Sequence, residues 1–300
     1  MNLQYVKYAL EISRTGSISK AAENLSVAQP NLSRAVKELE NQLGISIFER
    51  TRTGMTVTPE GEKLLSAGER ILREVGELET MFSDASIPRE SLSVMAAPSA
   101  YAAHAFVSFC ASLPEDRIYE TRYGEGGLNE TLDAVLRGTV KLGIIRIPLH
   151  FEKYYTDKLS AKDLKYETVA EFSPVALVGL GSSLAGRDTV TPAAMEGLCQ
   201  VASPESLPLE RSPSDGTVKK EITVTDRATA YALLANDPTL CIVASPMPAF
   251  LATQLGLIQR PCLDTTRYRD LLVCRKDYHL TSTDEAFLRA LRGTVKFTFG

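Results

Sequence analysis

The sequence predicts a chain in two parts, an α head and an α/β body. The head is small and helical and carries a two-stranded hairpin; one long helix joins it to a larger body. Three observations predict this. Residues 17–43, SISKAAENLSVAQPNLSRAVKELENQL, read as two short helices joined by a tight turn. Residues 59–82 space apolar side chains seven apart. From residue 91 onward, short apolar strand-like runs alternate with amphipathic helical stretches, the pattern of a mainly parallel sheet covered by helices.

The head comes first. Residues 3–13 form a helix with Leu3, Val6 and Leu10 facing inward; Gly16 ends it and Ser17 caps the next. In that next helix Ile18, Ala21, Ala22 and Leu25 fall at helical spacing, and the two alanines let a neighbour approach closely. The following helix opens on Gln29 and Pro30, proline being favoured in a first turn because its missing N–H has no partner there. Leu32, Val36, Leu39 and Leu43 recur at spacings of four, three and four, a stripe expected to be buried. Gln29, Asn31, Ser33, Arg34 and Lys37 are left on the opposite side, near the helix N-terminus. A helix that enters a major groove has this layout, since Gln and Asn can pair with adenine and Arg with guanine. An ordinary helical hairpin with a solvated polar face shares the same spacing.

Residues 45–59, ISIFERTRTGMTVTP, alternate and contain Thr-Gly, so they read as a two-stranded wing with Gly54 at its tip and Phe48 packed beneath. Arg50 and Arg52 are placed to reach phosphate or the minor groove. In the long helix, Leu64, Ile71 and Leu78 share one heptad position, while Gly68, Val75 and Phe82 fill the alternate one. A seam so long and narrow suits a helix–helix dimer interface better than a globular core. Two heads on a two-fold axis can then grip a dyad-symmetric site.

The run AENLSVAQPNLSRAVKELENQLGISIFERTRTGMTVTPEGEKLL resembles the N-terminal winged helix-turn-helix of the LysR-type transcriptional regulators. The matching residues are Ala21-Ala22, Leu25, Gln29-Pro30, Leu32-Ser33, Leu39-Glu40, Leu43-Gly44, Phe48, Arg50, Thr58 and Gly61. The family often has Ser or Thr at Ala28 and a basic residue at Thr53, so this chain lacks a side-chain cap for the recognition helix and leans on Arg52 in the wing.

The resemblance implies a winged helix-turn-helix at 1–58, a linker and dimerisation helix at 59–86, and an effector-binding domain at 87–300. It also implies that the last domain is bilobed, of periplasmic-binding-protein type, with lobe I at 87–161 and 268–300 and lobe II at 162–267. DNA contacts are expected from Gln29, Pro30, Asn31, Ser33, Arg34, Lys37, Arg50 and Arg52, and dimer contacts from Leu64, Ile71, Val75, Leu78 and Phe82. The implied partners are double-stranded DNA with dyad symmetry, further copies of the chain in a homotetramer built as a dimer of dimers, and RNA polymerase if the protein activates.

In the body, strands are expected at 92–98, 117–124, 140–147, 174–180, 198–203, 221–225, 240–245 and 268–276, and helices at 101–113, 128–138, 227–235 and 283–292. The chain is expected to cross between lobes near 160–168 and again near 258–268. Ligands of open α/β sheets sit at strand carboxyl ends, often against helix N-termini. That rule selects Ser99, Ala100, Tyr101, Gly126, Arg146, Ser203, Arg227 and Ser245 for a small-molecule effector of unknown identity. Ser99 doubles as a helix cap, and Arg146 serves either an anionic effector or a carboxylate such as Glu125. Where many family members read L-D-L, this chain has Val140-Lys141-Leu142, which makes effector assignments from relatives unsafe.

The 44% hydrophobic and 23% charged fractions are ordinary for a globular protein with a full core. The net charge of −4 argues against whole-surface binding to nucleic acid. It leaves room for a basic face, because in the first 58 residues lysines and arginines outnumber glutamates. No secretory signal and no membrane-length apolar run is visible, so the chain is expected in the cytoplasm and off the membrane. Cys110, Cys199, Cys241, Cys262 and Cys274 show no metal spacing and read as buried or incidental thiols. His104, His150 and His279 sit in no nucleophile or metal motif, and GxSxG, GxGxxG and P-loop patterns are missing. The reading is therefore a regulator, with no catalytic residues, no metal and no cofactor beyond the effector. A solute-binding protein with an added head and a ligand-free architectural DNA binder are the alternatives.

Overall fold

The computed structural model describes residues 2–51, 54–82, 89–208 and 222–300. The chain divides into two compact units, Met1–Ser86 and Ile87–Gly300.

The first unit contains α1 (Leu3–Thr15), α2 (Ile18–Asn24), α3 (Gln29–Leu43), β1 (Phe48–Thr51), β2 (Gly54–Val57) and α4 (Pro59–Phe82). Asn2 caps α1 by accepting from the Gln4 N–H, and Gly16 ends it in the left-handed conformation at φ 64°. Ser17 caps α2 in the same way, accepting from Lys20. Ala28 gives α3 no side-chain bond, and Pro30 supplies the start instead. Val6, Ala9, Ile12, Ala21, Leu32, Leu39 and Ile47 are completely buried and form the core. The inward face of α1 is therefore Val6, Ala9 and Ile12, with Leu3 and Leu10 only half-buried. In α3 the buried stripe is Leu32, Ala35, Val36 and Leu39. Leu43 falls outside it at 39% exposure, because the helix stops there at Gly44 and Ile47 and Phe48 take over the core contacts. β1 and β2 pair antiparallel as the wing.

The second unit holds two five-stranded sheets. The first runs in the order β4-β3-β5-β12-β6 and the second in the order β11-β7-β10-β8-β9. The strands of the first are β3 (Arg89–Ala96), β4 (Ile118–Glu125), β5 (Leu142–Pro148), β6 (Leu164–Phe172) and β12 (Tyr268–Arg275). Those of the second are β7 (Val175–Gly179), β8 (Cys199–Ala202), β9 (Ile222–Thr223), β10 (Leu240–Ala244) and β11 (Leu257–Pro261). Helices α5 (Ala100–Ala111), α6 (Leu128–Leu136), α7 (Glu152–Ala161), α8 (Arg227–Asn236), α9 (Ala249–Gln254) and α10 (Ser282–Phe299) complete the unit. In each sheet three parallel neighbours are followed by an antiparallel strand. The two halves repeat one topology although their sequences show no repeat. β5 carries the continuous apolar run of a central parallel strand, with Leu142, Ile144, Ile145 and Ile147 fully buried.

The expected lobe boundary at 161–162 needs correction. β6 belongs to the first sheet, where it pairs antiparallel with β12 from Phe172↔Tyr268 to Leu164↔Arg275. β12 returns from the second lobe beside β5 and leaves its other edge open, and β6 fills that edge. The chain therefore passes to the second sheet at residues 173–174 and returns at residues 262–267.

Candidate functional site

On α3, Gln29, Pro30, Asn31, Ser33, Arg34 and Lys37 are all exposed, while Leu32, Val36 and Leu39 are buried directly beneath them. The face is held from below and open above. Gln29 accepts a hydrogen bond from the Ser19 hydroxyl at 3.2 Å, which ties the start of α3 to α2. Lys37 lies 3.6 Å from Glu40, an exposed pair worth little energy. Arg34 has no ion-pair partner among the described residues. Several amide and guanidinium donors thus project from one helical face. Arg52 and the side chain of Arg50 lie outside the described residues.

The seam on α4 splits in two. A Cβ on Gly68 would meet Val6 Cγ1 at 2.4 Å, so α1 crosses α4 there and Gly68 faces its own unit. Leu64 also packs against that core. Ile71 and Val75 are half-buried, and Leu78 is 53% exposed. The C-terminal half of α4 therefore keeps apolar side chains uncovered. The side chain of Phe82 lies outside the described residues.

Between the two lobes of the second unit, the loops at the strand ends bring charged groups together. Arg146 on β5 makes a two-pronged contact with Asp270 on β12, at 2.8 Å and 2.7 Å. It also donates to the Pro98 carbonyl and lies 4.9 Å from the centre of the Phe172 ring. The Tyr101 hydroxyl donates to the same carboxylate at 2.5 Å. Asp270 is fully buried and Arg146 nearly so. Burial alone would lower the pKa of Arg146, but Asp270 more than offsets this and raises it. Burial, then the charge of Asp270, pushes the Tyr101 phenol well above its usual value. Of the two readings for Arg146, the carboxylate partner holds, and that partner is Asp270. Glu125 is taken by another arginine.

That arginine is Arg227, at the first position of α8. It donates to Glu125 of the first lobe at 2.6 Å and to Glu205 of its own lobe. Glu205 is buried and accepts from Tyr231 as well. Burial raises its pKa, and Arg227 and Tyr231 pull it back only in part. The Tyr123 hydroxyl donates to Glu125 at 3.0 Å, and the Ser99 N–H reaches the same oxygen at 3.5 Å. The Arg227–Glu125 bridge links the lobes directly.

Ser99 does not cap α5 with its side chain. The hydroxyl turns back and donates to the Ala97 carbonyl at 3.1 Å, in a fully buried position. Ala100 is buried in the core of the second lobe beside Ala244 and Met247. Ser203 is occupied by Ser206, whose hydroxyl accepts from the Ser203 N–H at 2.9 Å. Ser245 is 2% exposed, and its hydroxyl has no hydrogen-bond partner among the described residues. Gly126 closes the end of β4, its N–H donating to the Ala96 carbonyl at 3.0 Å. Lys141, in the Val140-Lys141-Leu142 departure, donates to the Ser91 hydroxyl at 2.8 Å just before the N-terminal end of β5. The sequence reading missed Asp270, Glu205, Tyr123 and Tyr231 as members of the site. One signal was available for Asp270, an acid directly preceding the apolar run LLVC in a predicted strand.

Cys241, Cys262 and Cys274 are buried, and burial pushes the Cys262 thiol up to about 11. Such thiols are poor nucleophiles. No group of acidic, cysteine or histidine side chains among the described residues is arranged to hold a metal. No described helix is long and apolar enough to cross a membrane.

Residues 3–62 match the model of the bacterial regulatory helix-turn-helix protein, lysR family. The chain is 38% identical over 107 residues to the HTH-type transcriptional regulator YofA of Bacillus velezensis, covering 35% of this chain and 37% of that protein. It is 32% identical over 163 residues to the HTH-type transcriptional regulator CzcR of Bacillus cereus, covering 53% of this chain and 56% of that one. The chain thus spans little more than a third of the first relative's length and about half of the second's. Among solved structures, full-length OxyR from Pseudomonas aeruginosa superposes with a TM-score of 0.57 at 16% identity, over 100% of this chain and 96% of that one. CbnR, a LysR family transcriptional regulator, superposes with a TM-score of 0.57 at 17% identity, over 98% and 99%. CbnR complexed with its target DNA gives 0.56 at 17% identity, over 98% and 100%. At these identities the likeness establishes the fold.

Proposed function

We propose that the chain is a member of the LysR family of bacterial regulatory helix-turn-helix proteins, whose model its residues 3–62 match, and that it is a sequence-specific transcriptional regulator rather than an enzyme. The observation that carries this is the α3 face: Gln29, Asn31, Ser33, Arg34 and Lys37 exposed above a buried Leu32, Val36 and Leu39. Donors fixed on a packed helix can read base edges in the major groove, while phosphate contacts set the register. The uncovered C-terminal half of α4 supports pairing of two heads, as a dyad-symmetric site requires. A dimer of dimers, contact with RNA polymerase where the outcome is activation, and residence in the cytoplasm beside the DNA complete the proposal.

The cleft between the two sheets is the seat proposed for a small-molecule effector, bordered by Ser99, Arg227, Glu125 and Ser245. An effector that binds the open and closed arrangements of the lobes with different affinity shifts the balance between them. By linkage it shifts DNA affinity as well.

The test is binding of the full chain to a panel of promoter fragments, including the DNA flanking its own gene, measured by fluorescence anisotropy with nonspecific competitor. Arg34→Ala is expected to weaken specific binding by about 1–3 kcal/mol, roughly 5- to 150-fold in Kd, with folding unchanged. Equal affinity of the variant and the parent for the preferred fragment would remove Arg34 from the interface. Failure of the parent to prefer any fragment would remove the regulator reading itself.

A further inference from the structure

We propose that the effector of the inter-lobe cleft is a small organic cation, an ammonium or guanidinium compound; this rests on the reading of that cleft as the effector seat. Anion capture is the role its arginines would fill if they were free, and neither is. Arg146 is held by both oxygens of the fully buried Asp270. Arg227 is held between Glu125 and Glu205. An incoming carboxylate that took Arg146 from Asp270, or Arg227 from Glu205, would leave a buried acid without its counter-charge, at heavy cost. One that took Arg227 from the partly exposed Glu125 would set a further carboxylate beside Glu125 and Glu205. The donor expected of Ser99 is also spent, since its hydroxyl bonds the Ala97 carbonyl.

What the cleft offers instead is acceptor capacity. Among the described residues three carboxyl groups, Glu125, Glu205 and Asp270, face two guanidinium groups, Arg146 and Arg227, so acceptors outnumber the cations they face. Glu125 is the accessible member, with 23% of its side chain exposed. Arg227, Tyr123 and the Ser99 N–H all converge on its Oε1. Its second oxygen, Oε2, is bonded by no described group and can accept from a cationic head. A second, independent feature lies on the other lobe. Ser245, between Ala244 and the Met247 that packs with Ala100, holds a buried hydroxyl with no partner among the described residues. Buried hydroxyls are rarely left so without a ligand or water to complete them. A ligand with a cationic head for Glu125 and a polar group for Ser245 would satisfy both, and would engage one residue of each lobe.

The experiment measures thermal unfolding of the full-length protein at matched ionic strength, titrated with methylguanidinium chloride, 1,4-diaminobutane, sodium benzoate or sodium succinate. Saturable stabilisation of about 2–4 °C is expected from one or both cations and none from the anions. Glu125→Gln, which keeps the shape and hydrogen-bonding reach of the residue, is expected to abolish the effect. Stabilisation by the carboxylates alone would overturn the charge assignment while leaving the effector seat standing. A cation effect that persists in Glu125→Gln would also overturn it, as binding elsewhere. A flat response to all four probes would count against the charge assignment and the effector seat together.

Discussion

Asp270→Ala is expected to be among the most damaging single changes in the second unit. Asp270 is completely buried and answers three donors, two from Arg146 and one from Tyr101. Removing it strands a guanidinium whose side chain is only 9% exposed. Losing one partner of such a buried pair costs about 3–5 kcal/mol, and the Tyr101 hydroxyl, left without its acceptor, adds about 1 kcal/mol. Arg146 keeps the Pro98 carbonyl and the Phe172 ring, so a net loss of about 4 kcal/mol is expected. In a unit of this size each kcal/mol moves Tm by about 2–4 °C, which gives a fall of about 8–16 °C.

The converse change, Arg146→Met, leaves a buried carboxylate with Tyr101 as its remaining donor and is expected to cost about 3–5 kcal/mol. The double variant Arg146→Met with Asp270→Leu swaps the pair for apolar side chains. Only the Tyr101 hydroxyl then loses its partner, at about 1–2 kcal/mol. With Asp270→Leu as the matching single variant, expected to cost about as much as Asp270→Ala, the single losses together should thus exceed the double loss by roughly 5–8 kcal/mol. The chain has no Trp, so far-UV circular dichroism in urea is the suitable assay. A single variant within about 1 kcal/mol of the parent, or an additive cycle, would refute the inference that this pair is a buried unit.

Two further outcomes are expected. Burial raises the pKa of Glu205 in the folded chain, so its contribution to stability is complete below the unfolded value of about 4.3 and is lost as pH rises through the folded one. The advantage of the parent over Glu205→Gln should therefore shrink as pH rises above the unfolded value in paired urea melts, and a gap that widens with pH would be the wrong sign. Replacing Ile71 and Leu78 on the uncovered half of α4 with Glu should shift the chain toward monomer in sedimentation velocity and weaken DNA binding roughly tenfold or more. Unchanged sedimentation would move the self-association surface elsewhere.

The head was legible because its signals are local. Caps, the proline start and the leucine stripe each act within a few residues, and the residues that carry the family likeness have structural reasons to be what they are. The Glu40 carboxylate accepts from the Ile47 N–H at 2.7 Å and so closes the chain after α3. The Thr58 hydroxyl donates to the Ser46 carbonyl at 2.6 Å and accepts from the Gly61 N–H at 2.9 Å. A Cβ on Gly61 would lie 2.3 Å from the Ile47 carbonyl oxygen. In the body, the buried strands announced themselves by apolar runs, but β6 did not. Residues 165–168 are exposed, so an edge strand read as a polar crossover. β11 is short and ends at Pro261, α7 carries weak periodicity, and α9 is six residues long. The cleft was half legible. The strand-end rule found Ser99, Arg146 and Arg227 but no partner for either arginine. Asp270 is 124 residues from Arg146 in sequence, and no local pattern records such a choice. A charged residue inside an apolar strand must nonetheless find its counter-charge. Asp270 in DLLVC and Arg146 in GIIRI each posed that question, and each answered the other's.

The same geometry separates what is fixed from what can move. The pair of Arg146 and Asp270 lies within the first lobe, joining β5 to β12, and is buried. Breaking it costs several kcal/mol, too much for a ligand to toggle. Arg227 and Glu125 join different lobes, and each is about a quarter exposed. A partly solvated bridge of this kind is worth about 1 kcal/mol, which sets the ratio of closed to open lobes by roughly five-fold. The covalent ties between lobes are two short crossings, at residues 173–174 and 262–267, so opening need not disturb either sheet. A ligand with modest differential affinity can outweigh a bridge that weak, whereas the rigid pair beneath it keeps the strand ends in register while the lobes respond. The regulatory energy of the chain should therefore reside at Glu125 and Arg227, and its folding energy at Arg146 and Asp270.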